Sequence, residues 1–308
     1  MSFSHRIQLG ENIKMKRTLK FGLGNANTNK KLQLLEFHKE YCSGVDQYLS
    51  VLTKEHKYIL TNQEVKRINK TLPEGIKQCA YNKAVKIWKS WRRNKRGDQS
   101  PTYNGCIDLD KRFIVIEKAK VSFDYVARIS TLNKGKRAII PFNSYTYANQ
   151  YWDNWELCKG GKIKFVGNNI FLILTFEKEE PEKKANGKNI GIDIGIKKLL
   201  VTSEGREYGK NIEKLIDKIQ RKKQKSKAFY RALKERDYYI NKTVKELPFK
   251  ETKTIVMENI KNIKKDIKKD RKLRKRFRSK LSRWTYPKIL NKVRDLSELN
   301  GVDRKSVV

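Results

Sequence analysis

The sequence predicts an α+β protein of several domains, and three observations carry that prediction. Apolar and polar residues alternate near the amino terminus and again after residue 103, which indicates strands. Between these two stretches, apolar residues recur at steps of three and four, which indicates amphipathic helices. After a polar linker, the pattern changes once more, to strands that alternate with long charged helical stretches. We therefore expect a β-rich domain with a helical insertion, followed by an α/β domain.

The β-rich domain begins with a strand over Ile13–Leu23, where apolar residues alternate with basic ones. Residues 24–29 break this strand and offer side chains that can cap a helix. Further strands are predicted at 113–117, 121–130 and 136–142. The dipeptide Gly167-Asn168 lies between two apolar runs and predicts a hairpin, because a tight turn needs positive φ angles. The β-rich domain is assigned to residues 1–27 and 101–180.

The insertion, assigned to residues 28–100, contains two predicted amphipathic helices. Apolar residues of the first run from Leu34 to Leu52, and those of the second run from Ile76 to Trp91 after Pro73. Trp91 lies on the apolar stripe of the second helix, so a place in the core is the alternative to an exposed role.

A polar linker at 181–187 leads to the second domain, assigned to residues 188–308. Strands are predicted at Ile190–Gly195, Leu199–Thr202 and Ile255–Glu258. One long charged helix is predicted from Leu215 to Leu247, where Pro248 ends it. Strand, hairpin, long helix and strand is the order of an RNase H-like fold.

The charge points to a polyanionic partner. The chain has 308 residues with 72 Lys or Arg against 33 Asp or Glu, a net charge of +39. Such a chain repels itself, and nucleic acid is the leading compensating partner. The sequence has no apolar stretch of about eighteen residues and no apolar signal core at its start, so we expect no membrane partner and a cytoplasmic location.

Cysteine and histidine positions exclude two classes of site. Cys42, Cys79, Cys106 and Cys158 lie dozens of residues apart without a CxxC pair, so no zinc is expected. The three histidines all precede residue 60, far from the acidic strands, which disfavours a histidine-based hydrolase.

Asp193 and Glu258 are the candidate catalytic and metal-binding residues. Each is the carboxylate of an otherwise apolar strand pattern, where burial costs several kcal/mol without a compensating cation. Oxygen ligands suit Mg²⁺, and a two-metal nuclease needs carboxylates that converge on its ions. Gly191 and Gly195 would let a phosphate backbone approach closely. The alternative is that both carboxylates simply face solvent on edge strands.

These motifs resemble those of the TnpB family, the RNA-guided nucleases of transposons, which are related to type V CRISPR effectors. The matching residues are Gly191-Ile-Asp193-Ile-Gly195-Ile-Lys for the first RuvC motif and Val256-Met-Glu258-Asn-Ile for the second. The resemblance also covers the basic segment from Ser226 and extends over about 187–302. It implies a β-barrel wedge domain with a helical recognition insertion, followed by a RuvC domain of RNase H-like fold in which Asp193 and Glu258 bind metal.

The chain departs from that family after Glu258. Family members carry a final core strand, a zinc ribbon and a third catalytic Asp, whereas this sequence continues only to Gly301-Val-Asp-Arg-Lys-Ser-Val-Val. Asp303 does not match the context of the third motif. We therefore expect no third acidic strand, an incomplete RuvC domain without the zinc ribbon, and a vestigial acidic pair. Nuclease-dead TnpB-like repressors (TldR proteins) are similar in this respect, although they often lack the acidic residues that this chain keeps.

Three basic clusters are the candidate nucleic-acid surface. Residues 259–280 contain twelve Lys or Arg against two Asp, and two smaller clusters lie at 214–227 and 88–96. By resemblance, the helix around 76–81 is expected to read a short duplex motif through base edges. The candidate contacts are Lys77, Gln78, Tyr81, Trp88, Arg92, Arg93, Arg96, Lys222, Lys223, Lys264, Lys265, Lys268, Arg271, Arg274, Arg276 and Arg278.

The sequence leaves three functions open. The leading one is an RNA-guided DNA-binding protein with an impaired or absent nuclease, which represses transcription by occupying its target; Mg²⁺ is an optional cofactor that binding does not require. The second is an active, Mg²⁺-dependent RNA-guided DNA endonuclease. The third is a basic RNA-binding protein without guided DNA recognition. Expected partners are a guide RNA and a double-stranded DNA target with a short adjacent motif.

Overall fold

The structure is a computed structural model that describes residues 14–55, 59–94, 101–133, 135–258 and 275–307. The chain divides into two compact units, one of residues 14–178 and one that begins at Glu179. The first unit contains four described helices and eight strands. They are β1 (Lys14–Gly22), α1 (Thr28–Lys54), α2 (Asn62–Ile68), α3 (Glu74–Arg93), β2 (Ile107–Leu109), β3 (Ile114–Lys118), β4 (Tyr125–Ser130), β5 (Arg137–Phe142), α4 (Thr146–Asn154), β6 (Glu156–Leu157), β7 (Gly161–Val166) and β8 (Asn169–Glu179).

The first unit is built on two sheets. One has the strand order β1-β8-β7-β2 with β6 also paired to β8, and the other is β3-β4-β5. Side chains of α1 and α3 share one hydrophobic core with these strands, so that Phe37 and Trp88 belong to the same cluster as Phe142 and Phe176. The predicted helices at 34–52 and 76–91 are confirmed, and so is the mixed α and β character of the chain.

Local sequence signals explain several boundaries in this unit. Asn27 caps α1, its side chain accepting a hydrogen bond from the Lys30 N–H at 2.9 Å, as the polar residues before the helix predicted. The predicted hairpin is present, with Val166 paired to Asn169 across a two-residue turn. Gly167 has a φ of 55°, and a glycine at the first central position suits a type II′ turn, whose twist matches that of the strands.

The second unit combines one five-stranded sheet with helices. Its described elements are β9 (Lys188–Ile194), β10 (Leu200–Thr202), β11 (Glu207–Tyr208), α5 (Ile212–Gln220), α6 (Lys227–Lys245), β12 (Thr252–Glu258), α7 (Lys275–Arg283), α8 (Tyr286–Leu299) and β13 (Asp303–Val307). The strand order is β11-β10-β9-β12-β13. β9, β10 and β11 form an antiparallel meander, and β12 is parallel to both β9 and β13.

One face of this sheet packs on the helices. Ile192 and Met257 belong to the same core cluster as Ile216 of α5, Ile240 of α6 and Ile289 of α8. The linker before β9 is attached to the same unit, because the Lys184 ammonium donates hydrogen bonds to the backbone carbonyls of Phe249 and Lys250.

The prediction of one long helix over 215–247 is wrong. α5 ends at Gln220 and α6 begins at Lys227. Lys225 has a φ of 67°, which stops helical propagation, and the Ser226 hydroxyl accepts a hydrogen bond from the Phe229 N–H at 3.1 Å. The chain reverses here so that the apolar stripes of both helices reach one core.

The expectation of no third acidic strand after Glu258 is also wrong. β13 begins with Asp303 and pairs in parallel with β12 from Thr254 to Glu258. This strand has no apolar run in the sequence. It is held by backbone pairing with β12 at the edge of the sheet and by the buried side chain of Val302 just before it. Among the described helices, none combines the length and apolar character required to cross a membrane.

Candidate functional site

Asp193 and Glu258 lie side by side on neighbouring parallel strands. Gly191 pairs with Val256 and Ile192 pairs with Met257, so the register places Asp193 next to Glu258 at the carboxyl ends of β9 and β12. Side chains alternate along a strand, and Ile192 and Met257 take the buried face, which leaves both carboxylates on the opposite face. Adjacent strands lie about 4.8 Å apart, so one small cation can contact both carboxylates.

Both carboxylates are exposed, which corrects the premise that they are buried charges needing compensation. The strands are half-buried, since Gly191 and Val256 on the same face are also partly accessible. The alternative that both carboxylates face solvent on edge strands is thus correct in the exposure and wrong in the position, because β9 and β12 are interior strands of the sheet. Neither carboxylate makes a hydrogen bond or ion pair with any residue that the structure describes, and both therefore present free oxygen atoms on this side of the sheet.

The two glycines of the first motif, Gly191 and Gly195, differ in how much space a side chain would have. A Cβ on Gly195 would lie 2.7 Å from the Lys198 carbonyl oxygen, so the turn between β9 and β10 itself requires glycine. A Cβ on Gly191 would meet only Ser203, at 3.6 Å, which is an ordinary contact. The turn geometry therefore explains the glycine at position 195. For Gly191, close approach by a phosphate backbone stays a prediction.

Ser203 is a neighbour of the acidic pair that sequence reasoning missed. Its hydroxyl accepts a hydrogen bond from the Gly191 N–H at 3.1 Å, and its own N–H donates to the Gly191 carbonyl at 2.8 Å. These bonds fix the backbone two residues before Asp193. The signal in the sequence was the segment Val-Thr-Ser-Glu-Gly, which begins in β10 and continues into the turn after it.

The donor set fits one hard divalent ion better than two. Two carboxylates at adjacent strand ends supply oxygen ligands suited to Mg²⁺, with water completing the coordination. Among the described residues, no group of three or more His, Cys, Asp or Glu side chains is placed to hold a metal ion. Asp303 pairs with Thr254, which precedes Glu258 on β12 by four residues. At 3.3 Å per residue, Asp303 therefore lies roughly 13 Å from Glu258 along the strand direction.

Three of the proposed base-contacting residues are core residues, and their prediction is corrected. Trp88 is 1% exposed, Tyr81 is 7% exposed and Lys77 is 8% exposed. The Tyr81 hydroxyl accepts a hydrogen bond from the Leu60 N–H at 2.8 Å, and the Lys77 ammonium donates to the Lys66 carbonyl at 3.5 Å. A side chain that is already packed and paired cannot stack on a base without opening the core.

Other residues of the same helix remain accessible. Arg92 and Arg93 are exposed in the last turn of α3, and the Arg92 guanidinium lies 5.5 Å from the centre of the Trp88 ring. Gln78 is partly exposed, and its side-chain amide donates to the Asn82 side-chain oxygen at 3.1 Å. Arg96 lies outside the described residues.

The other two basic clusters are only partly described. Lys222 and Lys223 are exposed between α5 and α6, and Arg278 of α7 is half-buried. The remaining candidates lie outside the described residues or have side chains that do, and they stay predictions: Lys264, Lys265, Lys268, Arg271, Arg274 and Arg276.

A basic cavity of about 350 Å³ was not foreseen from the sequence. Four of its lining residues are lysines contributed by α3, the β6–β7 turn and β7, namely Lys83, Lys86, Lys159 and Lys162. Asp108 of β2 lies 3.2 Å from the Lys83 ammonium and 3.8 Å from that of Lys162. Burial raises the pKa of the lining Cys79 thiol to about 11, so this thiol is neutral at physiological pH.

The fold is similar to that of Cas12f1. No protein-family model matches the chain. Among solved structures, the chain is similar to Cas12f1 in the cryo-EM structure of the Cas12f1–sgRNA–target DNA complex, with a TM-score of 0.55 and 13% identity over 91% of this chain and 72% of that one. At this identity the likeness concerns the fold alone. The chain therefore has a fold like that of Cas12f1.

Proposed function

We propose that this protein binds a guide RNA and, directed by it, a double-stranded DNA target, and that its nuclease activity is impaired or absent. The observation that carries the proposal is the likeness to Cas12f1, which was solved with an sgRNA and target DNA and whose fold matches 91% of this chain. The net charge of +39 supports the same conclusion, because a guide–target duplex is a large polyanion.

The two units are assigned different tasks within this proposal. Residues 28–100 act as a recognition insertion of the β-rich wedge, and the exposed face of α3 that carries Gln78 reads a short duplex motif beside the target. Residues 188–308 act as a RuvC-like domain whose basic segments follow the duplex backbone. Base pairing with the guide then supplies most of the sequence specificity.

Impaired cleavage is proposed because, among the residues that the structure describes, the acidic pair has no third carboxylate at its end of the sheet. Two-metal catalysis needs carboxylates around two ions roughly 4 Å apart. Asp303 starts β13 at the opposite end of the β12–β13 pairing and so does not reach the pair. With two carboxylates, the negative charge balances one divalent cation, and a second ion would be bound weakly.

A protein of this kind would act by occupancy. A guided complex that stays bound to a promoter without cutting it blocks transcription. The consequence is a fall in expression from a reporter whose promoter matches the guide, with plasmid copy number unchanged.

An active RNA-guided endonuclease is the second candidate, and one observation favours it. Asp193 and Glu258 are adjacent, exposed and not paired with any described residue, which is the arrangement that a divalent ion needs. In this case Mg²⁺ is required and a further ligand comes from outside the described residues. Guide-independent RNA binding by a basic protein is the third candidate, and it predicts no discrimination among DNA sequences.

The test is a paired binding and cleavage assay. The protein is co-expressed with the RNA encoded beside its gene, and the purified complex is given matched or mismatched duplex DNA in the presence of Mg²⁺. Binding is followed by gel shift and cleavage by denaturing electrophoresis. The double variant Asp193→Asn with Glu258→Gln is the matched control, because it removes the negative charge of both candidate ligands with little change in side-chain size.

Match-dependent binding without cutting supports the proposal. Cutting by the wild type that the double variant abolishes establishes the endonuclease instead. RNA binding with equal affinity for matched and mismatched DNA leaves only the third candidate.

A further inference from the structure

Helix α6 carries a straight row of basic side chains on its exposed face. With about 100° per residue, Lys227, Arg231, Lys234, Tyr238, Lys242 and Lys245 fall within a sector of about 80°. All six are exposed, whereas the buried residues Ala232, Arg236, Ile240 and Thr243 lie on the opposite side. At 1.5 Å per residue, this row, which we call the α6 stripe, extends for about 27 Å.

The α6 stripe has no acidic counter-charge among the described residues. None of its five cations forms an ion pair or side-chain hydrogen bond with them. The acidic residues of the same helix are engaged elsewhere, since Glu235 pairs with Lys218 at 2.7 Å and Asp237 pairs with Arg236 and Lys288. Arg221, Lys222, Lys223 and Lys225 continue the positive surface just before the helix. A row of uncompensated cations at this spacing suits the phosphates of a nucleic-acid strand.

Tyr238 interrupts the cations at the middle of the stripe. It is 72% exposed, the highest value among the large aromatic side chains that the structure describes as exposed. Near the start of the helix, Phe229 and Tyr230 already have ring contacts. The centre of the Phe229 ring lies 5.3 Å from the Arg283 guanidinium, and the Phe229 ring contacts that of Tyr230. An exposed ring flanked by cations is the arrangement on which an unpaired base stacks while its neighbouring phosphates are neutralised.

We propose that the α6 stripe binds an unpaired stretch of RNA, with the Tyr238 ring stacking on a base and Lys227, Lys234 and Lys242 contacting phosphates. A paired base has no free face for this ring, which selects a single strand. The phenol hydroxyl at the ring edge can bond a ribose 2′-hydroxyl, the group that distinguishes RNA from DNA. The inference rests on the proposed function in one respect, namely that the RNA is the unpaired part of the guide.

The test uses the full chain with two fluorescein-labelled 20-nucleotide probes, oligouridylate and its deoxyuridine counterpart. Fluorescence anisotropy gives affinity between 50 and 400 mM KCl. The charge variant changes Lys227, Lys234 and Lys242 to Gln. Its control changes Lys111, Lys118 and Lys120 to Gln, three exposed lysines of the first unit with the same change in net charge. Tyr238→Leu and Tyr238→Phe are compared with Tyr230→Leu, which alters a tyrosine 52% exposed and about 80° away around the helix.

Affinity falls with salt, and each single-strand phosphate contact contributes about 0.7 to the steepness of log affinity against log salt. We therefore expect the charge variant to make this dependence shallower by about 2. The control triple is expected to leave it unchanged. Tyr238→Leu is expected to weaken oligouridylate binding by about tenfold and Tyr238→Phe to remove the preference for RNA over DNA, with Tyr230→Leu neutral. Equal losses in both lysine triples, or no effect of Tyr238→Leu, overturn the inference. Equal affinity of the wild type for both probes overturns its assignment to RNA.

Failure of this inference and failure of the proposed function give different results. If the stripe variants bind oligouridylate normally while guided DNA binding is intact, only the α6 stripe is wrong. If the stripe variants lose RNA binding but the wild-type complex does not distinguish matched from mismatched DNA, the inference about the α6 stripe is supported and the proposal of guided recognition is wrong.

Discussion

Glu258 is the neighbour of Asp193 across the parallel β9–β12 pair, one residue beyond the pairing of Met257 with Ile192. Because Ile192 and Met257 fill the core, the strand alternation alone brings both carboxylates to the same open face. The two carboxylates project from adjacent strands, whose backbones lie about 4.8 Å apart, so their like charges repel each other. A divalent cation bound between them would remove this repulsion. The acidic pair is thus a local consequence of register, whereas catalysis would need further ligands.

The first prediction concerns this pair. Asp193→Asn is expected to weaken Mn²⁺ or Mg²⁺ binding by about tenfold or more, because a neutral amide replaces one of two charged ligands; tenfold corresponds to about 1.4 kcal/mol. Affinity of the guide complex for matched DNA is expected to hold or rise slightly, since negative charge is removed near a polyanion. Isothermal titration calorimetry measures the first quantity and gel shift the second.

Asp303→Asn is the matched control for that experiment. It makes the same chemical change at the other end of the β12–β13 pairing and is expected to leave metal affinity unchanged. If Asp303→Asn weakened metal binding as much as Asp193→Asn does, the ligand set would not be the acidic pair.

A second prediction separates the two glycines beside Asp193. Gly195→Ala is expected to lower the free energy of unfolding by about 1–3 kcal/mol, because its Cβ would meet the Lys198 carbonyl oxygen and displace the turn. Gly191→Ala is expected to change it by less than about 0.5 kcal/mol, since its Cβ meets only Ser203. Urea unfolding monitored by circular dichroism provides both values. A folded Gly191→Ala protein with weakened DNA binding would indicate that Gly191 is kept for close backbone approach.

Elements with a strong local period were predictable from the sequence. The apolar spacing from Leu34 to Leu52 predicted a helix, and Gly167-Asn168 predicted a hairpin turn. Both predictions are confirmed, because these structures depend mainly on residues close together in the sequence. The acidic pair was found for the same reason, since each carboxylate interrupts an apolar strand. Their adjacency followed only from the pairing of β9 with β12, about sixty residues apart.

What the sequence did not predict depends on tertiary packing. Trp88 and Trp91 occupy neighbouring positions on one helix face, and only the packing of α3 against its core decides that Trp88 is the fully buried one. The break between α5 and α6 needs a residue at positive φ, which Lys225 adopts although its type gives no signal. β13 is a polar segment that becomes a strand only by pairing with β12.

The third prediction follows from the burial of Trp88. Trp88→Ala is expected to lower the free energy of unfolding by about 3–5 kcal/mol, because it leaves a large cavity in the first unit. Arg93→Ala, an exposed change in the same helix, is expected to alter stability by less than about 0.5 kcal/mol. Denaturant unfolding measures both. If Trp88→Ala kept wild-type stability and lost nucleic-acid affinity, Trp88 would be an interface residue after all.

The fourth prediction concerns acid sensitivity of the first sheet. Hydrogen bonds from Lys14, and then from the Cys158 thiol, lower the pKa of Glu177 from 4.5 to about 2, despite an opposing desolvation effect. Glu177 lies 3.0 Å from the Lys14 ammonium and 3.3 Å from that of Lys16, and thereby joins β8 to β1. A depressed carboxyl pKa stabilises the fold above the unfolded pKa, so this contribution is complete above about pH 4.5 and is lost as the pH falls towards 2.

Glu177→Gln is therefore expected to lower the urea midpoint at pH 7 and to differ progressively less from the wild type between pH 4.5 and pH 2. Glu36→Gln, which changes an exposed carboxylate of α1, is the control and is expected to match the wild type throughout this range. Because the Glu177 pairs are solvent-accessible, 1 M NaCl should shrink the difference at pH 7 as well. A difference between Glu177→Gln and the wild type that stayed constant from pH 7 to pH 2 would show that packing of the side chain, rather than its charge, joins β8 to β1.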